Sequence, residues 1–206
     1  PTNWCTPFVV EHDGGKQVVI NGQSFIRGYD LKTGKELWRI AGKAQRPVTS
    51  AVAIDDLVIV ASGFKGSYGG AFRLGGRGDL KGTKNVAWRW EKNTPDLASP
   101  LLSGKLLYLH KDKSASLSCV NPLTGEAYYT ASRIPGLSSL YASPVAANGH
   151  IFITGRSGTT VVIKDSKTLE IVSSNSVGEG VDATPALVDD EIFIRGEAHL
   201  FCLEAK

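Results

Sequence analysis

The chain has 206 residues, 42% of them apolar and 21% charged, with a formal net charge of +3. This is the balance of a folded globular protein and excludes a disordered chain. No apolar run approaches the ~20 residues of a membrane-spanning helix, and three cysteines are too few for a disulfide-built scaffold.

The first legible phrase is Cys5-Thr6-Pro7, a small residue, a hydroxyl and a proline opening a short apolar strand over 7–10. A Gly14-Gly15 turn and a second strand over 17–21 follow. Residues 28–38 then run through a turn rich in chain-reversing residues into a strand that carries Trp38. The opening phrase returns at Thr49-Ser50-Ala51, Ala98-Ser99-Pro100, Ala142-Ser143-Pro144 and Ala183-Thr184-Pro185, its third residues 44, 49, 44 and 41 positions apart. A period in the forties, with strand-like text between copies, predicts a β-propeller.

The third copy shows the unit most fully. Strands are predicted over 100–102, 105–110, 116–120 and 126–131, separated by Ser103-Gly104, a polar turn at 111–115 and Asn121-Pro122-Leu123-Thr124-Gly125. Second strands elsewhere fall at 57–62, 150–154 and 191–195, behind Asp55-Asp56, Asn148-Gly149 and Asp189-Asp190. Asn-Gly favours a tight hairpin because both residues tolerate positive φ. No capped amphipathic helix of ordinary length is visible. The expectation is an all-β, partial β-propeller in one domain over 1–206, with four complete four-stranded blades and three strands of a fifth. The blades are placed at 4–46, 47–95, 96–139, 140–180 and 181–206, the last incomplete.

The stretch Gly28-Tyr29-Asp30-Leu31-Lys32-Thr33-Gly34-Lys35-Glu36-Leu37-Trp38 resembles the pyrroloquinoline-quinone-like propeller repeat, Ala-x-Asp-x-x-Thr-Gly-x-x-x-Trp. The resemblance implies that Asp30 and Thr33 hold the turn and that Trp38 docks between blades. The third repeat departs from the pattern with Asn121, Thr124, Gly125 and Tyr129. The fourth keeps Asp165 and Thr168 but has Leu169 for Gly and Ser173 for Trp. In the second repeat, Gly75 to Asn85 replaces the tight turn and Trp88 takes the docking role. The ordering also resembles secreted propellers of planctomycete-type bacteria, of which this chain would be a C-terminal part. Upstream blades, a second copy or a partner chain would then close the ring. That implies a periplasmic or secreted protein whose signal peptide is not in this chain.

Candidate sites follow from the repeat. Residues two before each phrase hydroxyl are Trp4, Val48, Leu97, Tyr141 and Asp182, variable beside uniformly small neighbours. Inner strands converge on the central channel, so Trp4, Tyr141 and Asp182 are candidate ligand contacts at its mouth; the alternative is aromatics packed between blades. Lys65, Arg73, Arg77, Lys81 and Lys84 make a candidate basic surface, five cations against Asp79 between residues 63 and 85. It reads either as a solvated loop or as a patch for an anionic partner. Arg77-Gly78-Asp79 reads as a turn rather than an adhesion motif. His12, His110, His150 and His199 are scattered and read as surface or edge residues. Cys119 and Cys202 hold equivalent repeat positions and read, like Cys5, as small packed residues.

The functional expectation is a non-catalytic binding or scaffold propeller, with a protein or glycan partner, no nucleic acid and no cofactor. The alternative implied by the resemblance is a quinoprotein dehydrogenase acting on alcohols or sugars with pyrroloquinoline quinone and calcium. This sequence has no adjacent cysteine pair, and its acids do not match the calcium ligands of such enzymes residue by residue; upstream blades would hold some of them. A carbohydrate-binding propeller that stacks sugars on Trp4 and Tyr141 is the third reading.

Overall fold

The computed structural model describes residues 3–204. Strands β1 (Phe8–His12), β2 (Gly15–Asn21), β3 (Phe25–Asp30) and β4 (Glu36–Ala41) form the first antiparallel sheet. The second sheet contains β5 (Val52–Ile54), β6 (Leu57–Ser62), β7 (Tyr68–Arg73) and β9 (Val86–Trp90). Between its last two strands lies β8 (Gly78–Asp79), which pairs in parallel with β4 and so adds a fifth strand to the first sheet. The third sheet is β10 (Leu101–Ser103), β11 (Leu106–Lys111), β12 (Ser116–Val120) and β13 (Ala127–Arg133). The fourth is β14 (Val145–Ala147), β15 (His150–Thr154), β16 (Thr159–Lys164) and β17 (Ile171–Ser176). The fifth has three strands, β18 (Ala186–Val188), β19 (Glu191–Arg195) and β20 (Leu200–Glu204). A three-residue 3-10 turn, Asp112–Ser114, is the only helical segment among the described residues. The described residues thus form an all-β, partial propeller of four full blades and three strands of a fifth.

The hairpin chemistry is local. Asn148 and Gly149 take φ of 49° and 73°, the pair of left-handed residues that a two-residue hairpin demands. The first hairpin differs from the sequence expectation by one position. His12 pairs with Gly15, so the turn residues are Asp13 and Gly14, with φ of 49° and 73°. Aspartate tolerates the left-handed region well enough to serve in place of a second glycine.

Packing follows from the two-residue period of a strand. In β6 every residue is buried, because its two faces serve different neighbours. Val58 and Val60 join Val19, Ile26, Trp38, Ile40 and Phe72 between the first and second sheets. Leu57, Ile59 and Ala61 join Trp88, Leu107, Leu109 and Val120 between the second and third. Tyr108, Leu117 and Cys119 meet Ile151, Ile153, Val161 and Ile163 between the third and fourth.

Docking residues lock these interfaces. Trp38 is fully buried beside Phe72, with ring centres 6.2 Å apart. Its Nε1 donates to Gln17 Oε1 at 2.9 Å, and Gln17 Nε2 donates onward to the Leu74 carbonyl at 2.9 Å. Trp88 reaches its neighbour directly, donating to the Pro122 carbonyl at 2.8 Å. Both need a small residue beneath the indole. Trp38 lies across Gly28, its cross-strand partner. Trp88 lies on Gly125, where a Cβ would come within 2.7 Å of the ring. In the third blade Tyr129 stands at the tryptophan position, opposite Cys119. There Leu169 replaces the small turn glycine of the next blade and packs on the same cluster as Tyr129. The register shifts beside these pairs recur in all four complete blades, as expected of bulges that re-aim a side chain.

The Asp30 turn closes on itself: Asp30 Oδ1 accepts from Thr33 N at 2.6 Å and Thr33 Oγ1 at 2.7 Å. Asp165, its counterpart in the fourth blade, instead reaches across to the third. It accepts from Tyr108 Oη at 2.7 Å and Ser103 Oγ at 2.5 Å.

The repeated phrase has a specific bonding role. Ser50 N donates to Ser99 Oγ at 3.0 Å, Ser99 N to Ser143 Oγ at 2.9 Å, and Ser143 N to Thr184 Oγ1 at 3.0 Å. Each hydroxyl thus takes up a backbone donor of the preceding blade where the inner strands begin. Ser143→Ala removes the acceptor for Ser99 N, and is expected to cost about 1 kcal/mol in a urea unfolding series. An unchanged midpoint would show that water replaces the hydroxyl.

Candidate functional site

The phrase also sets what stands at the channel mouth. Four of the five residues that precede the hydroxyls by two positions, Trp4, Val48, Leu97 and Tyr141, line one cavity of about 310 Å3. The fifth, Asp182, lies beside it and pairs with the lining residue Arg156, Nε to Oδ1 at 2.6 Å and Nη2 to Oδ2 at 3.2 Å. Trp4 N donates to the Pro47 carbonyl at 3.0 Å, which ties the entrance of the first blade to that of the second. Trp4 and Tyr141 remain 58% and 45% exposed, so neither is consumed by inter-blade packing.

Two arginines lie against aromatic faces here. The Arg46 guanidinium sits 4.2 Å from the Phe64 ring centre and 5.5 Å from that of Trp4. Arg156 sits 4.0 Å over Tyr141. Such contacts orient a guanidinium while leaving its N–H groups free to bond.

The acids around the cavity already have partners. Asp112 accepts from three successive backbone amides, Asp96 N at 2.5 Å, Leu97 N at 2.8 Å and Ala98 N at 3.1 Å. It thereby pins the segment that feeds the third inner strand. Burial pushes its carboxyl up, while those donors pull it back down. Asp96 pairs with Lys111 Nζ at 2.5 Å. No group of three or more metal-ligating side chains occurs among the described residues. The donors present therefore do not fit a calcium-held quinone, whose metal needs several uncommitted oxygens.

The candidate cations do not form one surface. Ser62 pairs with Tyr68, and Leu57 with Arg73, at opposite ends of the β6–β7 hairpin. Lys65, in the loop next to Ser62, is therefore at the cavity end, 5.7 Å over Phe64. Arg73, Arg77, Lys81 and Lys84 belong to the other end, where Arg73 pairs with Asp56 at 2.7 Å. That long loop is laid against the first sheet. Gly78 and Asp79 pair with Trp38 and Arg39, and Leu74 and Leu80 are buried in the first cluster. The Arg77-Gly78-Asp79 tripeptide is thus partly strand rather than a free turn.

Two readings of individual residues are corrected. His110 is not a surface residue: it is fully buried, and neither ring nitrogen has a partner. Alternation places it on the same strand face as Tyr108. Cys202 is exposed on β20 while Cys119 is buried. Cys119 packs in the cluster between the third and fourth sheets, whereas no described sheet follows the fifth to cover Cys202. Burial pushes the Cys119 thiol up to about 11, so it is an inert packed residue. Sequence reasoning missed Arg46, Phe64 and Arg156, which come from loops of three different blades. The signal available was weak: Phe64 and Arg156 are large residues just beyond predicted second strands, and Arg46 is one at a predicted blade boundary.

The family model described as outer membrane protein assembly factor BamB matches residues 2–131. No curated protein sequence matches the chain. Among solved structures, BamB from Moraxella catarrhalis superposes with a TM-score of 0.68 at 13% identity, over 95% of this chain and 57% of that one. The computationally designed Ika8 protein gives 0.69 at 11% identity, over 96% of this chain and 57% of its own. The designed Ika4 protein gives 0.61 at 12% identity, over 84% of this chain and 100% of its own. The chain spans little more than half the length of the first two, and at such identities the likeness is one of fold. With well over half of its residues matched by the family model, the chain belongs to the BamB family of propellers built from pyrroloquinoline-quinone-like repeats.

Proposed function

We propose that this chain is a non-catalytic binding propeller that holds a protein partner at the cavity formed by Trp4, Arg46, Phe64, Tyr141 and Arg156. One observation carries the reading. The cavity offers aromatic faces and oriented cations, while every carboxylate near it is already bonded. A dehydrogenase needs an uncommitted base beside its substrate; a binding site needs apolar area with a few placed polar groups. The matching family is described as an outer membrane protein assembly factor, which supports a protein partner and a periplasmic or secreted setting.

The test is a panning of random displayed peptides on the immobilised protein and on Tyr141→Ala. Enriched peptides are expected to bind the variant at least tenfold more weakly, with thermal unfolding unchanged. A parallel sample receives pyrroloquinoline quinone, calcium and an electron-accepting dye. Alcohol-dependent dye reduction, or peptides indifferent to Tyr141, would overturn the reading.

A further inference from the structure

The ligand class of this site can be read from which charges in it are spent. The inference rests on the binding role proposed above. Arg156 is neutralised by Asp182, and Lys111 by Asp96. Asp112 is turned into the wall, with both its oxygens on backbone amides. Arg46 and Lys113 also line the cavity, and neither makes an ion pair among the described residues. Arg46 lies against Phe64 and Trp4, 4.2 Å and 5.5 Å from the ring centres, and its fork of donors has no carboxylate acceptor among the described residues. Exposed at the cavity wall, an unpaired guanidinium presents the planar fork that matches a carboxylate.

Apart from Ser139, the remaining wall is apolar: Val48, Leu97 and Leu140 together with the Phe64 ring. A volume of about 310 Å3 lies at the lower end of the ~300–1,000 Å3 range of small-ligand sites. It accepts one or two side chains rather than a folded surface. The carboxylates Asp96 and Asp112, which could accept from a sugar's hydroxyls, are bonded elsewhere, while the unpaired cations favour an anionic group over a neutral sugar. We propose that the cavity takes an extended peptide segment in which an apolar side chain is followed by an acidic one. The apolar group lies over Val48 and Leu97 beside the Phe64 ring, and the carboxylate bridges Arg46 and Lys113.

The experiment uses a display library of random heptapeptides on the immobilised protein, with Arg46→Gln and Lys113→Gln as the variants. Oligogalacturonate is a parallel probe. The expected result is enrichment of peptides with an acid next to Leu, Ile or Phe. Synthetic copies should bind at least tenfold more weakly to Arg46→Gln, and severalfold more weakly in 0.5 M salt than in 0.05 M. Lys113→Gln gives a second reading should Arg46→Gln fail to fold. Enriched peptides that lack acids but still depend on Tyr141 overturn this inference and leave the binding role standing. Peptides indifferent to all three residues overturn both. Oligogalacturonate bound in an Arg46-dependent way, with no peptide enriched, overturns the peptide class.

Discussion

Trp38→Ala is expected to lower the free energy of unfolding by about 3–5 kcal/mol, the range for deleting a fully buried large aromatic side chain. Trp38 is 0% exposed and fills the space between the first and second sheets against Phe72, Val58 and Val60. Collapse into the gap is opposed because Gly28 supplies no side chain beneath the ring. The substitution also strips a donor from Gln17, whose amide is fixed by its bond to the Leu74 carbonyl. Leu74 and Leu80, which hold the long loop, pack on the same cluster, so the added strand Gly78–Asp79 is expected to loosen with it. Urea titration followed by circular dichroism checks the magnitude. Trp4→Ala is the control, and its unfolding midpoint should barely move because Trp4 is mostly exposed. A loss below about 1.5 kcal/mol at Trp38, the scale of a volume-conserving swap, would show that the sheets close over the vacancy.

His110→Leu is expected to stabilise the protein and to remove much of its sensitivity to mild acid. Burial pulls the His110 imidazole down to about 4, below its ordinary 6.5. The unfolded chain takes up a proton as pH falls through 6.5, while the folded one does not until about 4. Stability is therefore fully present above pH 6.5 and drains away below it, by at most about 1.4 kcal/mol per pH unit. Near pH 4 the accumulated loss approaches about 3 kcal/mol. Leucine has no proton to gain and leaves no unpartnered ring nitrogens, so the variant should also gain about 1 kcal/mol at pH 7. Unfolding midpoints at pH 7, 6 and 5 decide the matter. A variant with the same acid slope as the parent would show that some other group carries it.

These two residues mark how differently the fold and its details were written. Trp38 was legible because the repeat pattern is local: a small residue, a turn and an aromatic at fixed spacing can be recognised without knowing the neighbour. The same holds for the second strands at Leu57–Ser62, His150–Thr154 and Glu191–Arg195, bounded by turn residues whose backbone demands are intrinsic. His110 was not legible. Its strand is identified by pattern, but whether a polar residue in that strand faces solvent or a neighbouring sheet depends on a chain segment some forty residues away. Cys119 and Cys202 make the same point, since equal repeat positions end in unequal burial. Leu80 and the Gly78–Asp79 strand were hidden for a related reason. A glycine-rich loop has no period of its own and acquires strand geometry only by pairing with the free edge of β4.

The site divides along the same line. Trp4, Val48, Leu97 and Tyr141 could be selected together because a repeat places equivalent residues at equivalent points of a ring, and they line one cavity. Arg46, Phe64 and Arg156 could not, because each lies in a loop whose path is set by the blades on either side. By itself, then, the sequence determined the β-propeller repeat, the order of most of its strands and the ring of small-hydroxyl phrases, all consequences of short-range periodicity and turn chemistry. Only the tertiary structure decided the chemistry at the channel mouth. Asp112 lies on backbone amides, Asp182 on Arg156, and Arg46 against two rings without a carboxylate, because ion pairing is settled by distances of a few ångströms between residues remote in the chain.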